Sequence, residues 1–180
     1  MDNQELELKL EELYKDSYMW ALRCTYGNHD EAEDLLQNVY LKILENKAVY
    51  NNEAAFKTWL FSVIRFTAVD MHRRKSSREK IKNRKINRKS DPKTLHSVPK
   101  AIDEIESKEQ KKLLHQLVAS LSPKQQEVVD LVFYHDLTLQ DAAQVMDVTI
   151  GTARTHYARA KKLLKEAIQK YKLESDFQKY

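Results

Sequence analysis

The segment over residues 121–165 constrains the fold of this chain most strongly, because it contains three successive sets of residues typical of helix starts. The first is a capping box, in which Ser122 precedes Pro123 and Gln125 lies three residues after the serine. Apolar residues then recur at helical spacing and predict one buried face. That face comprises Val128, Val129, Val132 and Phe133.

Two further helices are predicted in the same segment. Thr138 and Thr149 can each accept a hydrogen bond from the first turn of the helix that follows. Asp147 and Val148 form the turn between these helices, since aspartate can adopt left-handed backbone geometry. The predicted inner faces comprise Leu139, Ala142, Ala143, Met146, Ala153, Tyr157, Ala160 and Leu164.

A helix, a short helix, a tight turn and a basic helix together form the pattern of a helix-turn-helix, whose last helix enters a groove of DNA. The polar side of the third helix carries Thr152, Thr155, His156 and Arg159, with Arg154 flanking them. A helical hairpin with a solvated basic face would show part of this pattern. The capped starts, the short middle helix and the basic third helix together favour DNA binding.

Composition favours an all-α protein, because only 2 Gly and 3 Pro occur among 180 residues, of which 32% are charged. The net charge of +4 is modest, but the charges are unevenly distributed. Residues 1–34 contain ten acids and three bases, whereas residues 72–89 contain ten bases and one acid. The first segment suits a basic protein surface and the second suits phosphate groups.

Several classes of protein are disfavoured. Cys24 is the only cysteine, so an internal disulfide is not expected. The acidic N-terminus and the lack of a long apolar run predict no signal peptide and no membrane insertion, hence a cytoplasmic location. The six histidines are scattered, without a cysteine cluster or a glycine-rich phosphate loop, so we expect no catalytic site, metal or cofactor. A nuclease built from scattered carboxylates is the enzyme alternative.

The N-terminal half predicts three helices, over about residues 5–26, 30–46 and 54–74, and the basic residues that follow can extend the third. A stretch of few apolar residues then predicts a flexible linker. A fourth helix of the C-terminal domain is predicted over 104–119, and the polar end of the chain after Tyr171 is expected to fray. The predicted N-terminal core comprises Leu6, Leu10, Leu13, Tyr14, Met19, Leu35, Leu36, Val39, Tyr40, Ile43, Leu44, Phe56, Trp59, Leu60, Val63 and Thr67.

Three segments resemble motifs of the extracytoplasmic-function (ECF) sigma factors, the short type of sigma-70 family subunit of bacterial RNA polymerase. Residues 32–40 are similar to A-E-D-L-x-Q-x-x-F. Residues 56–74 are similar to F-x-x-W-L followed by D-x-x-R-R, and residues 121–160 are similar to the helix-turn-helix segment of that family. The motifs occur in the order and spacing of the family.

The resemblance implies two domains and a set of partners. Region 2, over residues 1–76, is expected to bind the β′ clamp of core RNA polymerase and the −10 promoter element. Region 4, over residues 104–172, is expected to bind the β flap and the −35 element, with a linker over 77–103 and a tail over 173–180. An anti-sigma factor is a further candidate partner.

The resemblance also implies which residues make these contacts. The exposed acidic edge of the second helix would meet basic clamp helices, and arginines can contact base edges or phosphates. The loop before the third helix corresponds to a pocket for a flipped base. The implied polymerase contacts are Asp30, Asp34 and Gln37; the −10 contacts are Tyr50, Asn51, Asn52, Arg65, Asp70, Arg73 and Arg74; the −35 contacts are Thr152, Arg154, Thr155, Ala158, Arg159 and Lys161.

The chain departs from the family pattern at four positions. Phe66 replaces the usual Asn before the −10 helix, Asp147 the usual Gly of the turn, Ala153 the usual Val, and Gln126 a common Arg. Promoter melting or base selection is therefore expected to differ from that of relatives. The alternative function is a stand-alone helix-turn-helix regulator, for which the sequence shows neither a dimer interface nor a ligand domain.

Overall fold

The computed structural model describes residues 3–83, 117–118 and 120–177, and every regular element within those ranges is an α-helix. The prediction of an all-α fold is confirmed for this part of the chain. The described helices are α1 (Asn3–Glu12), α2 (Tyr14–Cys24), α3 (His29–Leu44), α4 (Phe56–Asn83), α5 (Pro123–Phe133), α6 (Leu139–Met146) and α7 (Ile150–Phe177).

The chain divides into two compact units, residues 1–97 and residues 98–180. In the first unit α2, α3 and α4 pack on one another and α1 packs on α2; in the second, α5, α6 and α7 pack on one another. The helix predicted over 104–119 lies almost entirely outside the described residues, as does most of the linker predicted over 77–103. Helix α4 continues to Asn83, so the basic residues do extend it.

The first predicted helix is in fact two helices, α1 and α2. Leu13 interrupts them with φ −92° and ψ 2°, although its N–H still bonds to the Lys9 carbonyl at 3.2 Å. The second of these helices ends at Cys24, and positive φ angles at Tyr26 (56°) and Gly27 (82°) then turn the chain away from the helix axis. The predicted single helix was therefore wrong at Leu13, where neither Gly nor Pro marks the break.

The N-terminal core includes five side chains that the apolar stripes did not contain, in addition to many of the predicted ones. Trp20, Ala21, Ala32, Phe61 and Ile64 are all buried. Two predicted core residues are instead exposed: Tyr14 by 52% and Leu44 by 51%. Both lie at ends of their helices. Phe56 and Leu60 are buried as predicted, whereas Trp59 is only partly buried.

The caps of the C-terminal unit form as predicted. The Gln125 side chain accepts a hydrogen bond from the Ser122 backbone N–H at 2.9 Å, which is one half of the capping box. Thr138 accepts from the Asp141 N–H at 3.1 Å and Thr149 from the Thr152 N–H at 3.2 Å. These bonds satisfy backbone groups that a helix start otherwise leaves unpaired, so they fix where α5, α6 and α7 begin.

The turn between α6 and α7 depends on Asp147, which adopts the left-handed conformation with φ 55° and ψ 51°. This confirms the prediction for that residue.

The predicted inner face of α5 was wrong at Phe133, which is 57% exposed, whereas Leu131 is fully buried. Gln126, where an arginine is common in the family, is buried as well. Its side-chain amide donates a hydrogen bond to the Leu121 carbonyl at 2.9 Å and so contributes to the core.

Candidate nucleic-acid interface

The exposed face of α7 presents polar and basic groups on one side of a well-anchored helix. Ala153 and Ala160 are fully buried and let α7 approach its neighbours closely. The six residues assigned to the −35 element are all exposed: Thr152, Arg154, Thr155, Ala158, Arg159 and Lys161. The structure therefore brings this predicted set together on one accessible surface.

Two hydroxyl groups on this face are held by their own helix. The Thr152 hydroxyl lies 2.9 Å from the Thr149 hydroxyl, and the Thr155 hydroxyl donates to the Gly151 carbonyl at 2.9 Å. Within the part of the chain whose side chains are described, Arg154 and Arg159 form no ion pair. The arginines are thus the groups best placed to change partners when an anion or a base edge approaches.

The face of α4 that points away from α2 and α3 is the second basic surface. Phe66, Val69, Arg73 and Arg74 are exposed on α4, and Arg65 is partly exposed. Asp70 pairs with Arg73 at 3.2 Å, one turn apart on the same helix. Among exposed groups such a pair is weak, so Arg73 can exchange this partner for a phosphate at little cost.

The loop between α3 and α4 holds the remaining predicted −10 residues in two different environments. The Tyr50 hydroxyl donates a hydrogen bond to the Ala54 carbonyl at 2.7 Å. The centroid of its ring lies 5.2 Å from the ring centroid of Phe56 and 5.3 Å from that of Trp59. Asn51 and Asn52 are exposed. Tyr50 is therefore an anchor of the loop in this structure, and the two asparagines are its accessible polar groups.

The backbone of the same loop is shaped by asparagines. Asn46 and Asn52 both adopt positive φ angles, of 56° and 61°. Asparagine tolerates this conformation better than most residues with a side chain. The Asn51 side-chain oxygen also accepts a long hydrogen bond from the Glu53 N–H at 3.4 Å. The loop is thus defined by local bonds at its ends and by the Tyr50 contacts in its middle.

A third surface, on α3, is acidic. Asp30, Asp34 and Gln37 are exposed at a spacing that places them on one side of the helix. Leu41 continues this spacing by one turn and is also exposed. Leu41 was not among the predicted contacts, although its position four residues after Gln37 could have identified it.

The beginning of this acidic surface carries an aromatic pair. The Tyr18 hydroxyl lies 2.7 Å from Nδ1 of His29, at the start of α3. Desolvation of the phenol, followed by the negative charge of Glu33, raises the pKa of Tyr18 above its ordinary value. Tyr18 therefore remains a neutral hydrogen-bonding group next to the carboxylates of α3 near neutral pH.

The described residues contain no group of three or more His, Cys, Asp or Glu side chains arranged to hold a metal ion. Within the same part of the chain no helix is long and apolar enough to cross a membrane. The described residues present two basic faces, on α4 and α7, and one acidic face, on α3.

Two segments of the chain match known family models. Residues 10–78 match the model of sigma-70 region 2, and residues 111–164 match the model of sigma-70 region 4. Together the two matches cover more than half of the chain. The chain belongs to the sigma-70 family. It is an RNA polymerase sigma factor of the ECF type, as the sequence motifs predicted.

Relatives of this sigma factor match it along most of its length. The ECF RNA polymerase sigma factor SigW of Bacillus subtilis is 21% identical over 93% of this chain and 91% of its own length. The RNA polymerase sigma factor SigV of the same bacterium is 26% identical over 79% of each chain. The sigma factor RpoE, solved in complex with the anti-sigma factor NepR from Bartonella quintana, shares the fold with a TM-score of 0.62 and 24% identity, over 92% of this chain and 98% of that one.

Proposed function

We propose that this sigma factor recognises promoters through its two basic faces and binds core RNA polymerase through its acidic face. The observation that carries the proposal is that each of the two compact units, one matching region 2 and the other region 4, presents exposed arginines on a single helix face. Two separate DNA-binding faces suit two separate promoter elements. Catalysis belongs to the polymerase, and the site of action is the cytoplasm, where the template is.

The α7 face is proposed to contact the −35 element in the major groove. Arginine can donate two hydrogen bonds to a guanine, and alanine or threonine methyl groups suit the methyl of thymine. Arg154 and Arg159 supply the first chemistry, and Thr155 and Ala158 supply the second. Lys161 adds a phosphate contact, which makes binding sensitive to salt.

The α4 face and the adjoining loop are proposed to contact the −10 element. Arg65, Arg73 and Arg74 provide cations for phosphates or base edges, with Asp70 holding Arg73 until DNA arrives. A base that leaves the duplex loses stacking worth a few kcal/mol and needs replacement contacts. The exposed amides of Asn51 and Asn52 can offer hydrogen bonds to such a base, and Tyr50 is proposed to position the loop.

The α3 face is proposed to bind the clamp of core RNA polymerase. Asp30 and Asp34 suit a basic partner helix, Gln37 can hydrogen-bond it, and the exposed Leu41 can bury apolar surface beside them. Region 4 is proposed to bind the flap of the polymerase. Because RpoE was solved with an anti-sigma factor, we also propose that a protein of this class covers the exposed faces of the present sigma factor before induction.

The deciding experiment is transcription in vitro with core RNA polymerase from the source bacterium. A genomic template library is transcribed with and without the sigma factor, and transcript starts are mapped. We expect new, discrete starts preceded by two shared sequence elements. Tight sequence-specific binding by the protein alone, without new starts, would overturn the proposal in favour of the stand-alone regulator.

A pair of variants tests the −35 assignment on the promoters found in this way. We expect Arg154→Ala to reduce initiation by about 5- to 150-fold, since one arginine–base pair contributes about 1–3 kcal/mol. Lys165→Ala removes an exposed cation from the same helix about three turns away and should leave initiation close to wild type. Equal effects of the two changes would contradict the assignment.

A charge reversal tests the polymerase assignment separately from DNA. Asp34→Lys should weaken binding to core polymerase in the absence of any promoter, because it places a cation against a basic partner. Glu12→Lys reverses an exposed charge on α1 and serves as the control. If both variants bind core polymerase as wild type does, the acidic face is not the polymerase contact.

A further inference from the structure

Three side chains form an aromatic ladder that joins the end of α5 to the exposed side of α7. The rings of Phe133 and Tyr157 stack, with their centroids 6.0 Å apart and an angle of 26° between their planes. The ammonium nitrogen of Lys161 lies 5.5 Å from the centroid of the Tyr157 ring. The ladder therefore runs from the last residue of α5 through a tyrosine of α7 to a lysine one turn further on.

The ladder lies at the surface of the C-terminal unit. Phe133 is 57% exposed, Tyr157 is partly buried and Lys161 is exposed. Side chains of an α-helix tilt toward its N-terminus, so a lysine four residues after a tyrosine extends back over the ring. Because the core does not depend on these side chains, replacing them should leave the unit folded.

The ladder borders the face of α7 that is proposed to contact the −35 element. Arg154 and Ala158 precede Lys161 by seven and three residues, so the three lie on one side of the helix. Tyr157 is the neighbour of Ala158 and lies beside that face. The ring therefore holds a cation at the edge of the proposed DNA surface.

An aromatic ring orients a cation without cancelling its charge. The face of the ring attracts the ammonium group, but the ring is neutral, and an ammonium group has three donors of which some stay free. A carboxylate partner acts differently. Lys162, the next residue, lies 3.8 Å from the carboxylate of Glu166, which offsets its charge. Of these two adjacent lysines, Lys161 is the one arranged to meet a phosphate.

We propose that Phe133 and Tyr157 are positioning residues, which hold Lys161 ready for a phosphate of the −35 element. This inference rests on the proposed −35 role of α7. A lysine side chain loses much rotamer freedom when it is fixed against a partner. Contact with the Tyr157 ring, itself held by Phe133, restricts that freedom before DNA arrives. The ladder then adds affinity for duplex DNA without reading its sequence.

The test measures equilibrium binding of the holoenzyme to labelled fragments of the mapped promoters over a range of salt concentrations. One fragment contains both promoter elements, and a shorter one begins downstream of the −35 element. Tyr157→Leu removes the ring and Tyr157→Phe keeps it. Lys161→Ala removes the cation, and Lys165→Ala, the control, removes the same charge one turn further along α7.

On the long fragment we expect Tyr157→Leu to weaken binding by about 2- to 5-fold, the range that one exposed cation–ring contact gives. Lys161→Ala should lower the slope of log K against log salt by roughly one, as the loss of one phosphate contact does. Tyr157→Phe and Lys165→Ala should bind close to wild type. On the short fragment all of these variants should bind alike.

A double variant tests whether the tyrosine acts through the lysine. Tyr157→Leu combined with Lys161→Ala should bind no more weakly than Lys161→Ala alone, because the ring has no cation left to position. Phe133→Ala should cause a smaller loss than Tyr157→Leu, since the ring of Tyr157 remains. A structural defect would instead weaken Tyr157→Leu and the double variant by the same factor relative to their parents, and that result overturns the proposal.

Two further outcomes separate the ladder from the wider assignment of α7. If Arg154→Ala weakens binding to the long fragment while Tyr157→Leu does not, the ladder proposal is overturned and the −35 role stands. If neither change has an effect, both are overturned. If Phe133→Ala weakens binding of the sigma factor to core polymerase without DNA, the ladder faces a protein and the positioning proposal is overturned.

Discussion

The indole Nε1 of Trp20 donates a hydrogen bond to the backbone carbonyl of Phe61 at 3.0 Å, and the two rings stack with their centroids 5.7 Å apart. Both side chains are buried. The contact joins α2 to the part of α4 that precedes the exposed residue Phe66. The proposed DNA surface of α4 is therefore held in place by a core contact between Phe61 and a residue 41 positions earlier in the chain.

Trp20→Phe should destabilise the N-terminal unit. The change removes the indole hydrogen bond and leaves space in a close-packed core, and we expect the free energy of unfolding to fall by roughly 2 kcal/mol. Both tryptophans, Trp20 and Trp59, lie in this unit, so fluorescence of the remaining one reports its denaturant unfolding. Trp59→Phe, at a partly exposed position, is the control, and a loss of similar size there would contradict the argument.

The buried phenol of Tyr40 should make the N-terminal unit sensitive to alkaline pH. Burial raises the pKa of Tyr40 above its ordinary value of 10.0. Above that pH the unfolded chain releases a proton that the native state retains, so the free energy of unfolding falls as the pH rises toward the folded pKa. The stability contributed by the protonated phenol of Tyr40 is fully present below pH 10.

Tyr40→Phe should therefore reduce the loss of stability above pH 10, as measured by denaturant midpoints at a series of pH values. Tyr14→Phe changes a ring that is 52% exposed and is the matched control. If Tyr40→Phe and wild type lose stability in parallel as the pH rises, ionisation of Tyr40 does not contribute.

Substitutions at Asp147, whose backbone is left-handed, should change the stability of the C-terminal unit according to how well the new residue tolerates that conformation. Glycine adopts its φ of 55° without steric cost, so Asp147→Gly should stabilise the C-terminal unit by up to about 1 kcal/mol. Asp147→Ala adds strain without a polar side chain and should destabilise it. Hydrogen exchange of α6 and α7 amides measures both, and greater protection in Asp147→Ala than in Asp147→Gly would refute the account.

Tyr50 should affect promoter choice through the loop that it anchors. Tyr50→Phe removes only the hydrogen bond to the Ala54 carbonyl, whereas Tyr50→Ala also removes the contacts with Phe56 and Trp59. We expect a small loss of selectivity among −10 variants for the first and a large loss for the second, in competitive transcription assays. Binding to core polymerase should be unchanged, and selectivity retained by Tyr50→Ala would show that the loop does not need this anchor.

Local chemistry made some elements predictable. Thr138, Asp147 and Thr149 act on backbone groups within a few residues, so the starts of α6 and α7 and the turn between them could be predicted from the sequence. The break at Leu13 has no such local cause. Apolar periodicity continues across this position and so does not reveal the break.

Burial was predicted least well at helix ends. Phe133 and Leu44 fit the apolar spacing of their helices, but each is the last residue of its helix and more than half of its surface is exposed. The charged candidate residues were predicted to be accessible, and each of them is exposed or partly exposed. The environment of Tyr50 could not be predicted, because its ring partners depend on how the loop folds back onto α4.

Helix α4 carries buried residues and the basic face on one uninterrupted stretch from Phe56 to Asn83. Each residue added to or deleted from such a helix turns everything beyond it by about 100° relative to what precedes. One extra residue between Ala68 and Arg73 would swing the arginines out of line with Phe66, whereas a substitution leaves the line intact. Under the −10 role proposed for α4, substitutions on this face can change promoter preference during evolution, whereas a change in the length of that segment would disrupt the whole face.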